Sequence, residues 1–156
     1  MIALSRWLES TPLSQFIQTT SWAIPGIQVI HIICLATLFA LALNLSLRIA
    51  GRGLAAEPLR SLAARFVPAM WICLGLLLAS GSLLIIAEPS RTITNRVFYL
   101  KMTLLVVAIA LTLWLAAAAR REPEKPTRTR VVVAAVCMLI WTGVIVAGRY
   151  IAYYIS

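Results

Sequence analysis

Two polar residues interrupt the apolar stretch IPGIQVIHIICLATLFA at residues 24–40: Gln28 and His31, the only histidine of the chain. Residues three apart lie on one face of a helix, so both side chains are expected to point the same way. An imidazole can donate or accept a hydrogen bond, or coordinate a metal ion. Lys101 interrupts a second apolar stretch, and ionisable groups in such segments normally have a partner or a function. A binding site is therefore expected around these residues.

The composition indicates a membrane protein. The apolar share is 62% and the charged share only 12%, which is too little polar surface for a soluble domain of 156 residues. Crossing a hydrocarbon layer of roughly 30 Å takes about 20 apolar residues in a helix. Four segments qualify, at about 24–47, 67–87, 97–119 and 131–153. We therefore predict an all-α fold: one integral membrane domain over 1–156, a four-helix antiparallel bundle.

The segment before the first span is too short and too polar to cross. Thr11 and Pro12 are typical of a helix start, and Leu13, Phe16 and Ile17 fall on one helical face. We predict a short amphipathic helix over about 3–20 that lies at the membrane interface. Because the first apolar run starts late and is long, we expect no cleaved signal peptide.

The basic residues predict the orientation. They concentrate in the connectors after the first and third spans: Arg48, Arg52, Arg60, Arg65, Arg120, Arg121, Lys125, Arg128 and Arg130. The positive-inside rule then places these connectors in the cytoplasm, with both termini and the 88–96 connector on the periplasmic side of a bacterial inner membrane. The net charge of +9 is thus explained by topology, and no nucleic-acid partner is expected.

A helical rise of roughly 1.5 Å per residue lets the polar residues be compared in depth. His31 falls roughly 9 Å and Lys101 roughly 8 Å below the outer ends of their spans, so they share a level. Every span brings a polar group to this outer third, and the candidate ligand-binding residues are Gln28, His31, Glu88, Asn95, Lys101 and Arg149. The sequence also predicts that the second span begins at Pro68.

Each candidate also has a purely structural interpretation. Lys101 could extend its ammonium to the lipid headgroups or pair with Glu88, and Arg149 could anchor its helix at the interface. His31 could form a hydrogen bond with Gln28 or with a neighbouring helix. As a metal ligand, His31 would need partners, and Cys34, Met70 and Met138 supply little at its level.

Catalytic patterns are missing from the sequence. It contains no aspartate, no second histidine and no glycine-rich phosphate loop, so a hydrolase is not expected and the chain is not predicted to be an enzyme by itself.

The sequence resembles a family of small four-span bacterial membrane proteins of unknown function over nearly its whole length. The resemblance rests on WLESTPLSQFI, SWAIPGIQVIHIICLATLFA, GLLLASGSLLIIAEP, NRVFYLKM and WTGVIVAGRYIAYY. The matched positions are Trp7, Glu9, Pro12, Trp22, Pro25, His31, Gly81, Pro89, Asn95, Phe98, Lys101, Gly148 and Arg149.

More distantly, a histidine in the first span and a lysine opening the third resemble haem-associated four-helix protoporphyrinogen oxidases and copper-resistance membrane domains. This chain departs from its close family, however. It has no acid before the arginine in LNLSLRIAG and no histidine in LTLWLAAAAR. A haem held by two histidines of one chain is therefore excluded.

Three functions remain open from the sequence. The first is a polar pocket in the outer third of the bundle that binds a haem b or other tetrapyrrole, a quinone or a lipid headgroup. The second is a non-catalytic membrane subunit or scaffold whose buried polar residues only join helices, and the third is copper handling at His31 and Cys34. Beyond the lipid bilayer, a homodimer or a larger membrane complex stays open as a partner.

Overall fold

The computed structural model describes residues 2–51, 58–93, 95–121 and 127–153. Within these ranges the chain forms helices and no strands. The helices are α1 (Ile2–Glu9), α2 (Pro12–Thr19), α3 (Ala23–Ile49), α4 (Leu59–Ala87), α5 (Pro89–Ile93), α6 (Arg96–Arg120) and α7 (Arg128–Tyr153). Four of them, α3, α4, α6 and α7, are long and apolar enough to cross a membrane. The predicted all-α four-helix bundle is confirmed, and the chain is a multi-pass membrane protein.

The four long helices form one bundle with a regular core. α3 packs against α4 and α7, and α6 packs against the same two helices, so α3 and α6 face each other diagonally. The buried residues recur every three or four positions, as on α6 at Leu105, Ala108, Thr112, Leu115 and Ala119. This spacing is typical of long helices that pack at a small crossing angle.

Small residues bring the helices close together in the core. Ala63, Ala108 and Ala119 are at most 1% exposed, and they belong to the same core cluster as the fully buried Trp141. The outer faces are also apolar, with Ile30, Ile33 and Leu139 more than half exposed. Apolar surface on both sides of each helix is expected where the surroundings are lipid.

The second long helix begins earlier than the sequence analysis predicts. Pro68 was expected to open it, but α4 starts at Leu59 and contains Pro68 in its interior. The start has no side-chain cap, although the Ser61 hydroxyl donates to the Pro58 carbonyl at 2.8 Å. A proline inside a helix removes one backbone hydrogen bond, and Val67 and Met70 on either side of Pro68 are buried in the core.

The N-terminal segment forms two helices instead of one over 3–20. Thr11 ends the first by donating to the Leu8 carbonyl, and it caps α2 by accepting from the Ser14 backbone. Pro12 at the first position of α2 lacks the N–H that α1 would need in order to continue. At the opposite end of the bundle, α3 ends just before Gly51. The φ of Gly51 is 72°, a conformation that favours glycine.

α1, α2 and α5 together cover one end of the bundle, which we name the capped end. α1 packs against α5, and α2 packs against α4 and α3. The Ser14 hydroxyl donates to the Ile86 carbonyl at 2.8 Å, and the Gln18 amide donates to the Ala87 carbonyl, also at 2.8 Å. These bonds satisfy carbonyls in the last turn of α4, which have no partner within the helix.

α2 thus packs on the bundle through a mixed face, whose buried residues are the polar Ser14 and the apolar Ile17. Ser14 is fully buried, whereas Leu13 and Phe16 are 48% and 61% exposed. Ile17 alone joins an apolar contact, with Ala23 and Ala87. The predicted interfacial position fits this arrangement, because the exposed apolar face of α2 points away from the bundle.

Candidate functional site

His31 is held from the neighbouring helix. Its Nδ1 lies 2.9 Å from the Ser80 hydroxyl oxygen of α4, and Ser80 is buried. The contact is close because Gly81 follows Ser80 on α4: a β-carbon at Gly81 would lie 3.3 Å from His31 Cε1. A serine and a glycine in succession thus let the imidazole lie against the backbone of α4.

Lys101 occupies the equivalent position between the other two helices. It extends from α6 along Gly148 of α7, where a β-carbon would lie 3.4 Å from the Lys101 Nζ and 3.5 Å from its Cε. No described residue forms a hydrogen bond or an ion pair with the Lys101 ammonium. A half-buried lysine without a carboxylate partner is uncommon inside a membrane-spanning helix.

One cavity of about 90 Å³ joins the two side chains. Since one water needs on the order of 10–15 Å³ of such space, the cavity holds several waters or a small polar group. His31, Ser82 and Lys101 supply its polar groups, and Phe98 lies in the same wall. The remaining lining is aliphatic: Leu35, Leu77, Leu78, Gly81, Ile85, Met102, Leu105 and Val144.

The cavity opens sideways, between α4 and α6. Most of its lining comes from these two helices, with His31 at the back on α3. Leu78 and Met102 are 49% and 36% exposed, and Ser82 is exposed as well. All three belong to membrane-spanning helices, so the opening faces the lipid at the side of the bundle.

The other predicted site residues do not line this cavity. Gln28 is exposed on α3, and Arg149 is exposed on α7, next to the inward-facing Gly148. Asn95 caps α6, with its side-chain oxygen accepting from the Val97 backbone at 2.9 Å. Glu88 is the C-cap of α4, and its carbonyl accepts from the Thr92 hydroxyl. The structure thus brings His31 and Lys101 together, whereas Glu88 and Asn95 are capping residues at the ends of α4 and α6.

Ser80 and Gly148 are the site residues that the sequence analysis did not assign. Ser80 lies in the stretch GLLLASGSLLIIAEP and Gly148 is a matched position of the family resemblance, but neither is among the candidate ligand-binding residues. Their depth in the bundle is the sequence feature that indicates them as site residues, because both lie on the same level as the His31 and Lys101 side chains that they contact.

A second polar group lies deeper in the bundle and is fully closed. The Trp141 indole N–H donates to the Thr112 hydroxyl at 3.0 Å, and this hydroxyl donates to the Ala108 carbonyl at 2.7 Å. Cys137 Sγ lies 3.4 Å from the same oxygen. Because every polar atom of this group has a partner, it joins α6 to α7 and offers nothing to a ligand.

Metal binding finds little support in the described residues. They contain no group of three or more histidine, cysteine, aspartate or glutamate side chains arranged to hold a metal ion. His31 is the only histidine of the chain, so a haem iron held by two histidines of one protomer does not fit.

Comparison of the chain with protein-family models, with curated proteins and with solved structures finds no match in any of the three.

Proposed function

We propose that this protein binds a membrane amphiphile by taking its oxygen-bearing headgroup into the cavity between α4 and α6. The observation that carries the proposal is the Lys101 ammonium, which faces a laterally open cavity and has no carboxylate partner within residues 2–51, 58–93, 95–121 and 127–153. An uncompensated charge in a membrane interior is costly. A ligand that supplies an acceptor to the ammonium offsets part of this cost, so its binding is favourable. Quinones, tetrapyrrole carboxylates and lipid headgroups share that chemistry.

The shape of the cavity supports an amphiphile over a water-soluble ligand. Its polar groups lie at the back, at His31 and Lys101, and its mouth is aliphatic at Leu78 and Met102. A volume of about 90 Å³ is below the roughly 300–1,000 Å³ of ordinary small-molecule pockets. Only a headgroup or the edge of a ring would therefore enter, with the apolar part left against α4 and α6.

The proposed orientation is that of a bacterial inner-membrane protein with the capped end and both termini in the periplasm. The distribution of the arginines supports this orientation. The end opposite the capped end contains Arg48, Arg60, Arg65, Arg120, Arg121, Arg128 and Arg130. After replacement of the free Cys34, Cys73 and Cys137 by alanine, single cysteines at Ser10 and at Arg121 test the assignment with a membrane-impermeant maleimide. Ser10→Cys should react in cells with a permeabilised outer membrane, and Arg121→Cys only after lysis. The reverse pattern would contradict the orientation.

The binding proposal is tested by identifying what the protein retains. Protein purified in a mild detergent should release an amphiphile that is identified by mass spectrometry, and a tetrapyrrole would also show a Soret band. Lys101→Ala and His31→Ala should lose it. Thr37→Val is the matched control, because Thr37 is exposed on α3 and its hydroxyl bonds only the Ile33 carbonyl of its own helix.

A scaffold function is the second candidate, and one observation favours it. The His31–Ser80 bond joins α3 to α4, and the contact of Lys101 with Gly148 joins α6 to α7. In a scaffold, His31→Ala and Lys101→Ala would lower the unfolding temperature in detergent without any change in bound molecules, and the protein would be recovered within a larger membrane complex.

A further inference from the structure

We propose that the cavity selects an anionic lipid whose headgroup also carries a hydroxyl group, as a phosphoglycerol headgroup does. This inference rests on the proposed function and narrows it to one chemical class. It follows from two groups that the cavity offers at its back: a cationic donor, Lys101, and a neutral acceptor, His31. The charge of Lys101 and the tautomer of His31 each determine one feature of the ligand.

The charge selects an anion. The Lys101 ammonium lies on a membrane-spanning helix, has no carboxylate partner among the described residues, and packs along the backbone of α7 at Gly148. A neutral quinone carbonyl would give it a hydrogen bond but leave the charge uncompensated. A phosphodiester supplies both the acceptor oxygen and the opposite charge, and charge-assisted hydrogen bonds are roughly twice as strong as neutral ones.

The hydrogen bonds of Ser80 select the tautomer of His31. The Ser80 oxygen lies 2.7 Å from the Leu76 carbonyl and 3.2 Å from the Leu77 carbonyl, so its single hydrogen is donated within α4. Towards His31, Ser80 can then only accept, which requires the hydrogen on Nδ1. In a neutral imidazole with Nδ1–H, the Nε2 atom carries the lone pair, so it accepts a hydrogen bond and cannot donate one.

Together these groups describe a headgroup with two features. Lys101 needs a phosphate or similar anion, and His31 Nε2 needs an O–H donor. A phosphoglycerol headgroup provides both within a few bonds of each other, whereas a methyl phosphodiester provides only the anion and a quinone provides neither charge nor, when oxidised, a hydroxyl. The aliphatic mouth at Leu78 and Met102 then leaves the acyl chains in the bilayer.

The test uses the full-length protein and lipids that differ in one feature. Native mass spectrometry after titration compares phosphatidylglycerol with phosphatidylmethanol, which has the same charge without a hydroxyl, and with phosphatidylethanolamine and ubiquinone. We expect phosphatidylglycerol to bind about tenfold more tightly than phosphatidylmethanol, the size of one good hydrogen bond. Free glycerol 1-phosphate and inorganic phosphate should not compete, since they lack acyl chains.

Variants test whether Lys101 recognises the phosphate and whether His31 recognises the hydroxyl group. Lys101→Met should abolish binding of both anionic lipids, and Lys101→Arg should restore it. His31→Phe and Ser80→Ala should each remove the preference for phosphatidylglycerol while leaving phosphatidylmethanol bound. Because Ser80→Ala keeps the imidazole in the cavity, it separates the tautomer from the mere presence of the ring.

The outcomes distinguish the two proposals. Equal affinity for the two anionic lipids overturns the assignment of His31 as acceptor, and competition by glycerol 1-phosphate overturns the lipid as the source of the phosphate. Lys101-dependent binding of ubiquinone or a tetrapyrrole in preference to both lipids overturns this inference but keeps the proposed function. Binding that does not depend on Lys101, or no binding at all, overturns both.

Discussion

The ammonium of Lys101 lies directly over Gly148, a residue of the neighbouring helix. A β-carbon at Gly148 would lie 3.4 Å from the Lys101 Nζ, already in van der Waals contact, so a side chain longer than that of alanine would occupy the present path of the lysine into the cavity. The side chain of α6 is thus positioned by the backbone of α7, and the charge it presents to the cavity depends on a residue without a side chain.

Replacing Gly148 should therefore weaken ligand binding without removing the charge. In Gly148→Leu, the new side chain occupies the room of the Lys101 stem and displaces its flexible end. We expect retention of the amphiphile to fall severalfold, approaching that of Lys101→Ala, with little change in the unfolding temperature. Gly143→Ala is the control, because its β-carbon would meet Leu104 at 3.4 Å, at the same helix interface but outside the cavity lining. Unchanged retention in Gly148→Leu would contradict this role.

Gly81 should have the same importance for His31. In Gly81→Ala the new methyl group would lie 3.3 Å from His31 Cε1, so the ring must shift by a few tenths of an ångström and its hydrogen bond to Ser80 weakens. We expect a loss of ligand retention. Gly75→Ala on the same helix meets nothing within 4 Å and should bind normally, with a gain in helix stability of up to about 1 kcal/mol. Equal binding by both variants would count against a positioned imidazole.

The closed polar group should contribute to stability and not to binding. Thr112→Val keeps the shape of the side chain but leaves the buried Trp141 N–H without an acceptor. We expect the free energy of unfolding to fall by roughly 1 kcal/mol, the magnitude that hydrogen bonds reach inside membrane proteins. Thr103→Val on the exposed face of α6 should cost nothing measurable. Reversible unfolding in mixed micelles, followed by tryptophan fluorescence, measures both.

The attachment of α2 should depend on its buried polar face. Ser14→Ala removes the donor to the Ile86 carbonyl, and leaves that carbonyl unsatisfied at a cost of about 1–3 kcal/mol. Hydrogen–deuterium exchange should then rise across α2 and the last turn of α4 while the four long helices stay protected. Ser10→Ala is the control, since the exposed Ser10 hydroxyl follows α1 and bonds only the Trp7 carbonyl of that helix. Uniform exchange throughout the protein would contradict a local effect.

The number of membrane-spanning helices and the relative levels of residues along them could be predicted from the sequence, because they depend only on the length of each apolar run and on the helical rise per residue. The levels of His31 and Lys101 follow from that reasoning, and the structure does line one cavity with both residues. The four spans were found within a few residues of their ends, apart from the start of α4. There, the helix-prone residues between Leu59 and Pro68 continue into α4 through Pro68, so the helix is longer than its apolar run.

The rotation of each helix could not be predicted in the same way. In a membrane, the lipid-facing side of a helix is as apolar as the side that faces the core, so hydrophobicity does not indicate which side is buried. Gln28 shows the consequence: three residues correspond to about 60° of helical rotation away from His31, enough to leave its side chain exposed. Ser80 could be recognised as the partner of His31 only when the packing of α3 on α4 was known.

The exposed aromatic side chains of the capped end have a consequence for the height of the molecule in the bilayer. Trp7, Phe16 and Trp22 point outward around the capped end and are each more than 60% exposed. Aromatic side chains of this kind settle at the boundary between acyl chains and headgroups, and thus fix that end of the bundle at one depth. A thinner or thicker bilayer is then accommodated at the arginine-rich end, while the distance from the lipid headgroups to His31 and Lys101 stays constant.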